Sequence, residues 1–251
     1  MTGLSVIIPA LNEEGYIKVA IESARKLNPL EIIVVDGGST DRTKEIAERE
    51  GAIVIESPMG RGTQLNRGAS VAKGDILLFL HADSVIPERV DIRKHINNGQ
   101  AGGFFRLGFD DPSISIRLVE FFANLRARLF SLPYGDQAIF IKKEVFERIG
   151  GFKEYPFLED LELVRRLKGF VRLKSLPDKV IVSSRRLKKG YPFSPILVSL
   201  RNVLIALLFL LGMSPYRLQR FYKSGSPHPS QTAGFPKNPE DFFGDTTGRV
   251  A

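Results

Sequence analysis

Ile76-Leu77-Leu78-Phe79-Leu80-His81-Ala82-Asp83-Ser84 is the stretch from which the fold is read. Five apolar residues run without a break and stop at a histidine and an acid. Gly74-Asp75 and Pro87 bound the run. It is too short for a buried helix and suits a strand buried on both faces of a parallel sheet. In open α/β sheets, ligands bind beyond the carboxyl ends of the strands, where His81 and Asp83 stand. Residues i and i+2 of a strand point to one side, so this imidazole and carboxylate are expected to hold one divalent cation. The alternative is that His81 caps the sheet and Asp83 starts a helix that begins near Pro87-Glu88.

Upstream the pattern repeats. Residues 4–9 form a short, mainly apolar run, broken by Ser5, that stops at Pro9. Asn12-Glu13-Glu14 is expected to open a helix, with Asn12 as N-cap and the acids in its first turn. Ile17, Ala20, Ile21 and Ala24 give that helix an apolar face. Residues 30–35 make a second buried strand ending at Asp36-Gly37-Gly38, and Ser39, Thr40 or Asp41 caps the helix that follows, Asp41 serving only as a cap. A third strand covers 52–55. The loop Gly60-Arg61-Gly62 leads to a helix over 63–72, and 76–80 is the fourth strand. Strand and helix alternating three times imply βαβ units and a mostly parallel sheet flanked by helices. Right-handed crossovers then bring the loops 9–13, 36–41 and 81–84 to one crevice. No G-x-G-x-x-G follows the first strand, which sets aside the usual dinucleotide fold.

Beyond Pro87 the alternation is irregular. Residues 102–107 read as a strand beside the crevice. Residues 114–130 have helical spacing through Ile116, Val119, Phe122, Leu125 and Leu129. The turn Tyr134-Gly135-Asp136-Gln137 feeds a strand over 138–141. Phe157-Leu158-Glu159-Asp160 begins a helix carrying Leu161, Val164 and Leu167, and 171–173 and 180–182 read as short strands. Residues 195–211 differ, because Arg201-Asn202 is followed by nine apolar residues, 203–211. A membrane-spanning helix needs roughly 20 mainly apolar residues, and an arginine near a bilayer centre costs at least about 2.5 kcal/mol. The segment is expected to lie in a membrane interface or against another subunit, with core packing as the alternative. Arg217, Arg220 and Lys223 follow it. From Ser224 glycine, proline, serine and threonine dominate, and the tail is expected to be irregular. The chain thus divides into an α/β unit over 1–190, apolar and basic helices over 191–224, and a tail over 225–251.

Across 251 residues, 43% are hydrophobic and 25% charged, as in a globular protein with a sizeable core. The absence of cysteine excludes disulfides and thiolate metal sites and fits a reducing compartment. A net charge of +8 favours anionic partners: nucleic acid, anionic lipid or phosphorylated substrates. The interleaved aromatic and basic pattern of an RNA platform is missing, so no nucleic-acid partner is expected. Met1-Thr2-Gly3 leads straight into the first strand, so no signal peptide is expected. The expected placement is cytoplasmic, with a peripheral position at the inner face of the membrane left open.

Four stretches carry a resemblance: Ser5-Val6-Ile7-Ile8-Pro9-Ala10-Leu11-Asn12-Glu13-Glu14, Val34-Val35-Asp36-Gly37-Gly38-Ser39-Thr40-Asp41, Leu78-Phe79-Leu80-His81-Ala82-Asp83 and Glu159-Asp160. Their order and spacing resemble the family 2 glycosyltransferases of the GT-A fold, the fold of nucleotide-diphospho-sugar transferases, over about residues 4–190. The His-Ala-Asp form points to a bacterial subgroup. The resemblance implies an inverting transferase that moves a sugar from a UDP- or GDP-linked donor to an acceptor. A lipid-linked acceptor and a homodimer are left open.

The resemblance also assigns roles. It implies that Pro9, Ala10, Leu11, Asn12 and Glu13 line the base and ribose, that Ala82 touches the nucleotide, and that Asp36 accepts a hydrogen bond from the base. A carboxylate accepts and cannot donate, which suits uracil or guanine. Arg61 and Asn66 lie in the stretch similar to the family's segment before the metal strand, Asn66 and Gly68 matching its Asn-x-Gly. A glycine-flanked Arg61 before a helix makes an anion site, or is a solvated arginine in a loop. Asp83 matches the last acid of the metal motif and His81 stands where an aspartate often does. Mn²⁺ or Mg²⁺ is implied, imidazole tolerating Mn²⁺ better. Asp160, after Glu159, matches the motif that supplies the general base. Tyr134, Gly135, Asp136 and Gln137 fall where such enzymes build the acceptor and sugar pocket, with Asp136 and Gln137 as candidates for sugar hydroxyls. Arg185-Arg186 and Lys188-Lys189 reach a diphosphate or an anionic membrane, or form a solvated face.

Two other classes compete. A sugar nucleotidyltransferase carries its glycine-rich, arginine-containing phosphate loop right after the first strand, where Pro9-Ala10-Leu11-Asn12 stands here. A non-catalytic basic module binding membrane or RNA has no use for acids at Asp36, Asp83 and Asp160.

Overall fold

Each buried apolar run becomes a strand, and most amphipathic stretches become helices. In chain order these are β1 (Leu4–Ala10), α1 (Ile17–Arg25), β2 (Glu31–Asp36), α2 (Thr43–Arg49), β3 (Ile53–Glu56), α3 (Arg61–Val71), β4 (Ile76–Phe79), β5 (Ser84–Val85) and α4 (Ile92–Asn97). The order continues with β6 (Gly102–Phe109), α5 (Ile114–Phe130), a 3-10 turn (Gly135–Gln137), β7 (Phe140–Lys142), α6 (Lys143–Arg148), α7 (Glu159–Leu167), β8 (Lys174–Val182), α8 (Arg185–Lys188), α9 (Pro195–Leu210) and α10 (Pro215–Lys223). The computed structural model describes residues 2–86, 90–97, 100–188 and 195–223. The expected helix start at Pro87-Glu88, Lys189 and the tail over 225–251 lie outside the described residues.

The strands form one sheet in the order β3-β2-β1-β4-β7-β6-β8-β5. β3, β2, β1 and β4 run parallel, with Ala10 opposite Asp36 and Ile7 opposite Phe79. The exits of β1, β2 and β4 therefore lie side by side, as right-handed crossovers require. Beyond β4 the sheet is mixed: β7 is antiparallel to β4 and β6, and β6 is parallel to β8.

The period-two alternation of the strands feeds two layers. Leu4, Val6 and Ile8 pack with Ile17, Ala20 and Ile21 of α1. Ile7, Ile33 and Val35 pack on the other side with Leu65 and Ala69 of α3 and Leu163 and Val164 of α7. Each large side chain buried this way stabilises by about 1.5–3 kcal/mol. A smaller cluster joins Ile205, Ala206 and Phe209 of α9 and Leu218 of α10 to Phe157 and Leu161 at the start of α7.

Several expectations change. α1 starts at Ile17 with Tyr16 at its N-cap and no side-chain cap bond. Asn12 instead takes a left-handed φ of 54° and turns toward the exit of β2. Asp41 accepts from the Thr43 N–H at 3.0 Å, covering the first turn of α2 from one residue outside the cap position. The short strands expected over 171–173 and 180–182 are replaced by the single strand β8. Val171 stays outside it because its N–H closes the last turn of α7 on Leu167 O at 2.8 Å. On α5, Ile116 is buried, while Phe122, Leu125 and Leu129 are exposed.

α3 lies close against the sheet. A Cβ on Gly68 would come 2.4 Å from Ile7 Cγ2 and 2.9 Å from Val35 Cγ2. Gly68→Ala is therefore expected to cost about 1–3 kcal/mol by overpacking, seen as a lower urea midpoint at unchanged slope. An unchanged midpoint would mean that α3 is free to retreat.

Candidate active site

The crevice is built where β1, β2 and β4 end. Ala10 and Asp36 close the pairing of β1 with β2. Gly38 takes φ 95°, a left-handed conformation that suits glycine. The N–H groups of Gly38 and Ser39 both donate to Asp36 Oδ2 at 2.9 Å. Asp36 Oδ1 is buried and has no hydrogen-bond partner among the described residues. A buried acceptor left unsatisfied is costly, so the site favours an incoming N–H donor. Asn12 stitches this turn to β1, its Oδ1 accepting from the Thr40 N–H at 2.8 Å and its N–H donating to Ser39 Oγ at 2.9 Å. Pro9 and Leu11 are half-buried and Ala10 is buried.

Gln64 is a residue that the sequence reading passed over. It is buried in α3, and its Nε2 donates to Ala10 O at 2.9 Å and Val35 O at 2.8 Å. The available signal is its spacing of four from Gly68, which puts a polar amide on the packed face of the helix.

β4 ends at Phe79 and the chain turns at once, the Ser84 N–H donating to His81 O at 3.1 Å. Strand alternation therefore does not govern His81 and Asp83, and the expected strand pair becomes two groups with different neighbours. Asp83 is 2% exposed, and its Oδ2 lies 3.1 Å from Arg185 Nη2. The same nitrogen meets the two carboxylate oxygens of Glu13 at 2.7 and 2.6 Å. The guanidinium stacks 4.0 Å from the centre of the Tyr16 ring. Burial alone would lower the Arg185 pKa, but Asp83 and Glu13 outweigh it and raise the value. With a side chain 19% exposed, Arg185 is no part of a solvated face. Glu13, expected at the nucleotide, is engaged with Arg185. Ala82 is buried within the turn.

His81 belongs to the neighbouring group. A Cβ on Gly135 would come 3.0 Å from His81 Nε2 and 3.1 Å from Asp160 Oδ2, so the missing side chain leaves room for both. Asp160 Oδ2 accepts the Gly135 N–H at 2.5 Å and Oδ1 accepts the Leu161 N–H at 2.7 Å. Arg61, Phe79, His81, Gly135, Glu159 and Asp160 line one small cavity. Leu158 enters α7 at φ 63°, and both acids fall in the first turn of that helix. Burial pushes the Glu159 carboxyl pKa up; Arg61, whose Nε is 3.2 Å away, opposes the rise and Asp160 adds to it. Glu159 is thus the counter-ion of Arg61, and Asp160 is the acid that shares space with the imidazole.

Asp136 keeps some open surface, but its Oδ1 is enclosed and has no hydrogen-bond partner among the described residues. Burial pushes its pKa up to about 6, against the pull of Arg126. Burial also raises the Tyr134 phenol, with the Arg126 guanidinium 3.5 Å above its ring. Gln137 is fully buried. Its Nε2 donates to Phe105 O and its Oε1 accepts the Tyr134 N–H, both at 3.3 Å. Its amide therefore shapes the turn. The amide of Asn66 likewise meets backbone. Its Nδ2 donates to Phe152 O at 2.9 Å and its Oδ1 accepts the Phe152 N–H at 2.8 Å, pinning α3 to the loop after α6.

The family model of glycosyl transferase family 2 matches residues 5–150, more than half of the chain. The chain belongs to this family. It is 38% identical to the glucosyl-3-phosphoglycerate synthase of Mycobacterium tuberculosis over 99 residues, 34% of this chain and 30% of the synthase. The chain thus matches under a third of the length of that curated relative. Solved structures share the expected GT-A fold. The same synthase, in complex with Mn²⁺, uridine diphosphate and phosphoglyceric acid, gives a TM-score of 0.58 at 23% identity, over 84% of this chain and 79% of that one. A mannosyltransferase from Pyrobaculum calidifontis, in complex with GDP-Man and Mn²⁺, gives 0.60 at 20% identity, over 89% and 68%.

The enclosed Asp136 carboxyl has a pH signature. Its folded pKa lies above the ordinary value, so its contribution is present at low pH and is lost as pH rises through about 6. Asp136→Asn removes this titration. The melting temperature of the variant relative to the parent is expected to climb between about pH 4 and pH 7, by the equivalent of up to about 3 kcal/mol. A difference that stays flat across that range in thermal melts would refute the enclosure.

Proposed function

We propose that this glycosyltransferase moves a sugar from a UDP- or GDP-linked donor to an acceptor hydroxyl with inversion, using Asp160 as base. The observation that carries the reading is the placing of three acids along one sheet edge. Asp36 stands at the end of β2 with an unspent oxygen, Asp83 beyond β4, and Asp160 against the turn that leads to β7. Asp36 Oδ1 accepts from a ring N–H of uracil or guanine. Arg61, in the first turn of α3, meets the diphosphate. The acceptor oxygen attacks the anomeric carbon, the bond to the diphosphate breaks, and the nucleoside diphosphate leaves with the bonding pair. The acceptor proton passes to Asp160, whose carboxylate two backbone N–H groups hold in place.

The Mn²⁺ bound by both structural relatives supports Mn²⁺ or Mg²⁺ here. The side chains present fit such an ion. Among the described residues no three His, Cys, Asp or Glu side chains cluster as ligands, and these ions are held by one or two carboxylates together with substrate phosphates. Asp83 would hold it, with His81 as second candidate, and Arg185 marks the space beside Asp83 as one that attracts positive charge. The bound ion supplies charge neutralisation for the leaving diphosphate. We further infer that residues 1–190 form the catalytic unit and that the acceptor is lipid-linked. What supports the lipid-linked acceptor is the packing of the apolar helix α9 on Leu161, next to Asp160.

Asp160→Asn keeps the shape and removes the proton acceptor. Donor binding is expected to stay nearly intact while turnover falls on the order of 10² or more; turnover at the parent rate would pass the role to Glu159. Calorimetry on Asp83→Ala is expected to show the metal-dependent part of nucleotide binding lost. A variant that still gains affinity from Mn²⁺ as the parent does would remove Asp83 from the site.

A further inference from the structure

α5 and α9 pack beside each other, and each turns an apolar stripe outward. On α5 the stripe is Leu118, Phe122, Leu125 and Leu129, spaced i, i+4, i+7 and i+11, with Phe122 61% exposed. On α9 it is Leu197, Leu200, Leu204 and Leu207, spaced i, i+3, i+7 and i+10, with Leu204 56% exposed. Such spacing puts each set on one helical face, and contiguous apolar surface of this kind marks an interaction site. The opposite face of α9 is already spent, because Ile205, Ala206 and Phe209 pack on Phe157 and Leu161. Among the described residues the outward stripes are thus surplus to the fold.

The exposed charge on α5, α9 and α10 themselves is of one sign. α9 and α10 contain no acid. The one acid of α5, Glu120, is buried and paired with Arg117 at 3.1 Å and Lys179 at 2.5 Å. The exposed charges on these helices are Arg117 and Arg128 of α5 and Arg217 and Arg220 of α10. A second copy docking through the same patch about a two-fold axis would set these arginines against themselves. An anionic surface would meet them favourably. None of the described helices is long and apolar enough to cross a membrane, whereas an apolar face with a basic rim suits a helix lying in the plane of the interface.

We propose that α5, α9 and α10 dock this protein on an anionic lipid bilayer, with the Leu118–Leu129 and Leu197–Leu207 stripes in the acyl boundary and the arginines in the headgroups. Long arginine stems lie along apolar surface while their charges reach water. Through Leu161 this docking would hold the Asp160 crevice at a set height above the bilayer. The proposal extends the reading of a lipid-linked acceptor, and its test reads binding alone, so either can fail without the other.

The full chain is sedimented with phosphatidylcholine vesicles with and without phosphatidylglycerol. It is expected to pellet with the anionic vesicles at low salt and to be released as salt rises. Phe122→Glu and Leu204→Glu are each expected to weaken this partition about tenfold or more. Their thermal melts should stay at the parent value, since both side chains are exposed. Arg217→Glu with Arg220→Glu is expected to remove most of the gain from phosphatidylglycerol, about fivefold per arginine. Three results would overturn the proposal: a chain that stays in the supernatant with anionic vesicles at low salt, leucine and phenylalanine variants that bind as the parent does, or a solution dimer that Phe122→Glu dissociates.

Discussion

The amide of Gln64 spans the ends of two parallel strands, and the crevice depends on it. α3 covers the carbonyl of Ala10, the last of β1, which also accepts the Gly37 N–H at 2.9 Å, and that of Val35, the last but one of β2. Gln64 donates to both. The helix can come this close because Gly68, one turn on, brings no Cβ into the sheet. The pose of α3 follows from those two contacts, and with it the place of Arg61 at its start and of Asn66 against Phe152. A polar pair and a missing methyl group thus hold the strand exits and the first charged residue of the crevice in one rigid unit.

Arg185 plays the corresponding part in the electrostatics. It gathers Glu13 from the exit of β1, Asp83 from beyond β4, and the end of β8. Two largely buried carboxylates close together would repel each other, and the guanidinium between them makes the arrangement tolerable. Arg61 does the same for the single buried carboxylate of Glu159. Asp160 stands apart from both pairs, held by backbone N–H groups, and so keeps its charge uncommitted to a side-chain cation among the contacts described.

Much of the fold was legible in one dimension. β1, β2 and β4 announce themselves as mainly apolar runs that stop at Pro9, Asp36 and His81, and the order of strands and helices then implies the shared edge. The bounds of α5 and α9 follow from their periodicity. Periodicity tells which residues share a face and is silent on which face is covered, so the outward stripe of α5 could not be read. In the site, the places of the acids Asp36, Asp83 and Asp160 along one edge were legible from the order of strands and helices. The partners of the amides were not. Asn66 and Gln137 offer a donor and an acceptor that serve backbone or ligand equally, and only the positions of Phe152, Phe105 and Tyr134 decide between them. Arg185 was hidden for another reason: its partners are distant in sequence, and its neighbours form a basic run of the kind that is usually solvated.

The contact at Gly68 also bears on how such a chain is free to diverge. Positions 7, 35 and 68 share one volume, filled here by isoleucine, valine and no side chain at all. A side chain gained at 68 needs volume given up at 7 or 35, on strands far from it in the chain. Substitution at any one of the three is thus conditional on the other two, and drift through this part of the sheet must proceed by paired steps or not at all.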